Sequence, residues 1–225
     1  MPNVARFTDF LFADQSLEEL LIAANRDELL RQSDGWTYLT EAAGYLRSDE
    51  RTRAAELLLR ITTNPNAETR LLLWSWTALR GLGLHPKNDE ARQIRGVVIQ
   101  VPIREGADVL AAYADGTARY VNHSGKVIAW DLPDAHIGNI VHTMLGRAKD
   151  LDAHAPTAVA TGFGDGVVRV TVLTFSGNRF AEVPMCSLQG SPINRVLTVG
   201  AELMGNLIKR TEAMNRIIQR DAGPR

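Results

Sequence analysis

Asn122, His123 and Ser124, followed closely by Lys126 and Asp131, make the densest polar stretch of the 225-residue chain. An imidazole beside a hydroxyl can serve as a general base when a third group orients its ring, which is the arrangement a hydrolase uses. Consecutive residues in a turn rarely meet that geometry, and a matching stretch further along carries Phe175 in place of His123, so the turn itself needs no imidazole. His85, His136, His142 and His154 fall into no HExxH or related spacing, so no metal and no cofactor are expected. Gly162, Gly164 and Gly166 alternate, but they lead into a strand pattern and not a helix N-terminus, which makes them hairpin glycines and not a phosphate cradle. Cys186 has no adjacent histidine or cation of the kind that activates a thiolate and reads as structural.

Arg119 and Arg169 are the other candidates, because each follows an Asp-Gly pair by the same interval: Asp115-Gly116 and Asp165-Gly166. Forked guanidinium groups at equivalent places on one sheet face would clamp a carboxylate or phosphate, the basis of an anion or nucleotide sensor. The competing expectation is that long cations line the open face of an antiparallel sheet.

These residues belong to a second half, from Gly96, where the periodicity turns to two and β-branched residues and glycine turns take over. Residues 108–131 and 158–183 share the order strand, Asp-Gly, strand, Ser-Gly, strand, and a helical pattern follows each, opened by Pro133 and by Ser191-Pro192. The expected domain, 96–225, is therefore a duplicated β-β-β-α unit with copies at about 96–150 and 156–219, forming an antiparallel sheet with helices on one face. Asp-Gly read as a two-residue type I′ turn sets Tyr113 opposite Ala118 and Ala112 opposite Arg119. In that register Val109, Ala111, Tyr113, Ala118 and Tyr120 meet the helices, with Val159, Thr161, Phe163, Val168, Val170 and Val172 in the second copy. Two copies separated by helices cannot close a propeller, despite the blade-like KVIAWD.

Residues 1–95 read as a small helical bundle and connector. A capping box at Ser16 and Glu19 starts one helix, Trp36, Leu39, Ala43 and Leu46 line a second, and Ser48 caps a third with Ala54, Leu57, Leu58 and Ile61 on its core face. A fourth, about 67–82, is apolar on more than one side, so Trp74 and Trp76 are core residues and not stacking platforms. No fixed repeat of solenoid length is present.

Composition narrows function further. With 25 Lys+Arg against 26 Asp+Glu the net charge is -1, which gives no general attraction to phosphate or anionic lipid, so nucleic acid is not an expected partner. Arginine supplies 21 of the 25 basic residues, a bias that a GC-rich genome produces without any functional cause. No apolar stretch approaches a membrane span, one cysteine cannot form an internal disulfide, and no signal-peptide pattern opens the sequence, so a cytoplasmic protein is expected. Converging acid, base and nucleophile groups are missing apart from His123 and Asp131, which favours a non-enzymatic binding or assembly protein over a hydrolase with a site near those two residues. Its expected contact is the last helix, whose apolar pattern runs through Met214, Ile217 and Ile218, past the length needed to cover a sheet, and whose Ala201 and Gly205 would admit another backbone. The expected partner is another protein or a second copy of the chain.

Overall fold

A computed structural model describes residues 34–104, 106–152 and 166–221. The helix expected at Ser16, the strand expected from Ala158, and Gly162 and Gly164 lie outside the described residues. The described residues divide into two compact units, one holding those from 34 to 95 together with Leu173–Asn178, the other holding those from 96 to 172 and from 179 to 221.

In the first unit α1 (Asp34–Arg47), α2 (Arg51–Thr62) and α3 (Thr69–Gly81) follow one another across short turns, α1 packing on α2 and α2 on α3. The apolar spacing produces the faces it implies: Trp36, Leu39, Ala42 and Ala43 are buried from α1, and Ala54, Leu58 and Ile61 from α2. Ser48 does not cap α2. Its hydroxyl donates to the Gly44 carbonyl at 3.1 Å and so closes α1, Asp49 turns the chain at a φ of 59°, and α2 starts after Glu50 without a side-chain cap. On α3, Leu71, Leu73, Trp74, Trp76 and Leu79 are all buried, which takes both tryptophans into the core. Residues 173–178 add Phe175 to this core: its ring lies 6.0 Å from that of Trp76 and 4.5 Å from the Arg95 guanidinium, Arg80 donates to its carbonyl, and Ser176 N donates to Ala91 O at 3.0 Å. After the short α4 (Asn88–Ala91) the sheet begins.

The sheet has six strands, β1 (Ile94–Ile103), β2 (Gly106–Tyr113), β3 (Ala118–Val121), β4 (Val127–Trp130), β5 (Val167–Thr174) and β6 (Gly177–Pro184), in the order β4-β3-β2-β1-β5-β6. β1 pairs antiparallel with β2, β2 with β3 and β3 with β4. Two helices complete the α+β arrangement, α5 (Ala135–Asp152) after β4 and α6 (Pro192–Asp221) after β6. A strand outside the two matched stretches, β1, stands inside the sheet, and β5 has β1 and β6 as its neighbours. Its sequence obscured its alternation: Val97, Val98 and Ile99 are consecutive buried residues, as in a strand covered on both faces.

The first Asp-Gly hairpin differs from the expected register by one residue. Ala112 pairs with Ala118 and Ala111 with Arg119, and Tyr113 N donates to Thr117 O, so the loop has three residues. Asp115 Oδ1 accepts from both Thr117 N (3.0 Å) and Thr117 Oγ1 (2.8 Å), an Asx turn, and only Gly116, at φ 85°, takes a positive value. A type I turn with a glycine bulge needs one such residue where a type I′ turn needs two. The slip turns β2 over. Asp108, Leu110 and Ala112 share a face with Ala118 and Tyr120, while Val109 and Ala111 join Arg119 on the other, and both sets are buried except Asp108.

Leu39 is 1% exposed and Leu59 41%. Leu39→Ala is expected to lower the urea unfolding free energy by about 2–5 kcal/mol, and Leu59→Ala by no more than about 0.5 kcal/mol.

Candidate functional site

Register determines which residues the sheet offers to α6. Ile99 pairs with Leu110, Val101 with Asp108 and Leu110 with Tyr120, so these five side chains share one face. Over them α6 lays Leu197, Gly200, Ala201 and Met204. A Cβ on Gly200 would overlap the Ile99 side chain, so the missing side chain lets helix and sheet approach at that point. Beside it a cavity of about 370 Å³ remains, walled mostly by apolar side chains, with Asp108 and Tyr120 contributing polar groups from the sheet and Asn194 and Thr198 from the helix.

Asp108 organises the polar end. Its Oδ2 accepts the Tyr120 hydroxyl at 3.0 Å, and its Oδ1 accepts His123 N at 2.9 Å and lies 3.2 Å from His123 Nδ1. Burial first, then the hydrogen bond and negative charge of Asp108, push the Tyr120 phenol up to about 12. Tyr120 is therefore a protonated donor at neutral pH, neither base nor nucleophile. The hydrolase elements named from sequence do not converge: Ser124 Oγ donates to Asn122 Oδ1 at 2.8 Å, and Asp131 takes Arg119 at 2.5 Å while His123 takes Asp108. Asp108, fifteen residues before His123, was not singled out from sequence. The signal that locates it is the register of β2, which depends on the three-residue loop.

No family model, no curated protein and no solved structure matches this chain.

Arg119 and Arg169 sit on β3 and β5, the strands next to the two sheet edges, with β2 and β1 between them. Three strand spacings separate those strands by about 14 Å, too far for both forks to grip one small anion. Each has its own acid on the neighbouring edge: Arg119 reaches Asp131 and the carbonyls of Ala118 and Trp130, and Arg169 reaches Glu182 at 2.5 Å. Both arginines are buried, at 5% and 7% exposed, so these pairs serve buried charges and not an open face. Among the described residues no group of histidine, cysteine, aspartate or glutamate could hold a metal ion, and Cys186 is exposed.

The last helix separates into supported and unsupported parts. α5 runs antiparallel beside it, with Arg195 donating to Asp150 at 2.8 Å, His136 Nε2 3.2 Å from Asn206 and Arg210 paired with Asp134 at 2.5 Å. Asp134 also caps α5, accepting His136 N and Ile137 N, and the Ile137 bond leads the causes that hold its carboxyl below the usual range. Arg210 lies 5.9 Å from the Trp130 ring on edge strand β4. Past it Met214, Ile217 and Ile218 are 40%, 59% and 62% exposed. Ala201 instead lines the cavity, and a Cβ on Gly205 would meet nothing within 4 Å.

The phenol of Tyr120 has a raised value, so the stability it contributes is complete below the ordinary value of 10.0 and is lost as pH climbs through about 12. Absorbance titration should find one of the four tyrosines ionising near 12, absent in Tyr120→Phe, and unfolding free energy should fall more steeply over that alkaline range in the wild type than in the variant.

Proposed function

We propose that the chain is a cytoplasmic, non-enzymatic assembly protein that works through protein–protein contacts, with the C-terminal third of α6 pairing two copies of the chain. One observation carries this reading: the helix face that is buried at Leu203 and Leu207 continues at helical spacing into Met214, Ile217 and Ile218, which are exposed. Such a face is self-complementary. A two-fold axis crossing the helix between residues 215 and 216 would set Met214 of one copy against Ile217 of the other, and Ile218 against Ala213. Glu212, Arg216 and Arg220 occupy the opposite side, where they stay in water.

Two finer readings accompany it. The helical unit that holds α1–α3 is a small bundle. The matched stretches descend from a duplication, supported by the parallel between the Arg119–Asp131 and Arg169–Glu182 pairs, each joining a buried arginine to an acid on or just beyond the adjoining edge strand. The rival readings have weaker support: His123 and Asp131 hold different partners, and Arg119 and Arg169 each already bind a carboxylate. Nucleic acid remains an unfavoured partner because the net charge is -1.

Sedimentation of the full chain should give a dimer, and Ile217→Asp combined with Ile218→Asp should give a monomer with unchanged far-ultraviolet circular dichroism. A wild-type chain that remains monomeric at its highest soluble concentration contradicts the proposal.

A further inference from the structure

The cavity under α6 has a chemistry separate from that of the helix end. Its body is apolar, with Ile99, Val101 and Leu110 below and Leu197 and Met204 above. Among the described residues its single charged group is Asp108. The two carboxylate oxygens are used unequally: Oδ1 accepts two contacts from His123, which is not part of the lining, while Oδ2 accepts one, from the Tyr120 hydroxyl. A carboxylate oxygen has room for a second donor. Across the cavity, Thr198 gives its hydroxyl proton to Asn194 O at 2.9 Å, leaving an oxygen that can accept. Both walls therefore offer acceptors beside the Asn194 amide, and an ammonium group can use them.

We propose that this cavity binds a small amphipathic amine, with its apolar body between α6 and the β1–β2 pair and its ammonium on Asp108 Oδ2. The volume of about 370 Å³ falls within the usual range for small-molecule sites. A carboxylate in an apolar wall gains more from a cation than one in water does, because less solvent competes for it. Tyr120 holds the carboxylate in position. An anionic head group would meet Asp108 as a like charge, and a neutral alcohol could supply a hydrogen bond without the charge. The ligand therefore has to be cationic, not merely apolar.

The test uses the full chain with N-phenyl-1-naphthylamine as a fluorescent reporter of the cavity and n-octylamine, n-octanol and n-octanoate as competitors. The amine should displace the reporter at concentrations at least about tenfold below the alcohol, the effect of one charge-assisted hydrogen bond, and octanoate should be weakest. Asp108→Asn should bring amine and alcohol together while reporter binding persists. Ala201→Phe, which fills the cavity, should abolish reporter binding, and the Ile217→Asp, Ile218→Asp variant should bind as the wild type does, whatever its oligomeric state. Equal displacement by all three head groups in the wild type overturns the proposal without relying on any variant. So do undiminished binding in Ala201→Phe, loss of binding in the helix-end variant, or no reporter binding at all.

Discussion

α6 is longer than the surface that supports it, and both surfaces argued for above follow from where that mismatch falls. From Gly200 beside Ile99 on β1 to Arg210 beside Trp130 on β4 the helix advances ten residues, about 15 Å at the ordinary rise. The same path crosses three strand spacings, about 14 Å. The helix thus runs across the strands, and at Arg210 it has reached the edge. α5 gives out at the same level, since Asp134 at its start pairs with Arg210. Among the described residues, neither sheet nor helix lies beneath the remaining turns. A peptide of that length is marginally helical in water even with good helix formers, and here it also exposes an apolar stripe. The proposed pairing of two copies would offset both costs at once.

Within the supported part, small residues decide how close the layers come. Gly200 touches down on Ile99, with Ala201 next to it, and the larger side chains on either side keep the helix from settling further. Ile99, Val101 and Leu110 line the space that remains between the layers. The four inner strands are otherwise mostly buried. Arg119 and Arg169 are admitted to it only because Asp131 and Glu182 lie one strand outward, partly exposed, where each carboxylate keeps contact with water while neutralising a buried guanidinium. That arrangement limits the desolvation cost to one member of each pair.

Much of this was legible from residue spacing. The helices at 34–47, 51–62 and 69–81 follow from apolar periodicity, as do the hairpin at Asp115-Gly116, the two helices after Pro133 and Ser191, and the exposed end of the last one. What failed was register. Asp-Gly marks a tight turn in either loop length, and the choice rested on the Asp115 carboxylate taking Thr117 N, a local bond that composition does not encode. One residue of slip moved Asp108 to the helix face and hid the site, because Asp108 and His123 meet only when β2 and β3 are paired as observed. The turn comparison was sound in form but blind to context: His123 is half exposed, whereas Phe175, its counterpart, is buried against Trp76 and Arg95. Burial of that kind depends on contacts distant in sequence.

Charge pairing finally distinguishes the cavity from the rest of its unit. Arg119, Arg169, Arg195 and Arg210 each meet a carboxylate, on Asp131, Glu182, Asp150 and Asp134. Asp108 meets a phenol that stays protonated, a backbone N–H and an imidazole, and it does so in the wall of an apolar space. Hydrogen bonds, and not an arginine or lysine, satisfy this partly buried carboxylate. Tyr120 is held as a donor against that same carboxylate, at the expense of its own ionisation. Departures of this kind from the pairing kept elsewhere tend to mark functional positions. The two buried arginines of the sheet are thus paired within the fold, and Asp108, whose partners are a phenol, a backbone N–H and an imidazole, is the charge that the proposed amine would meet.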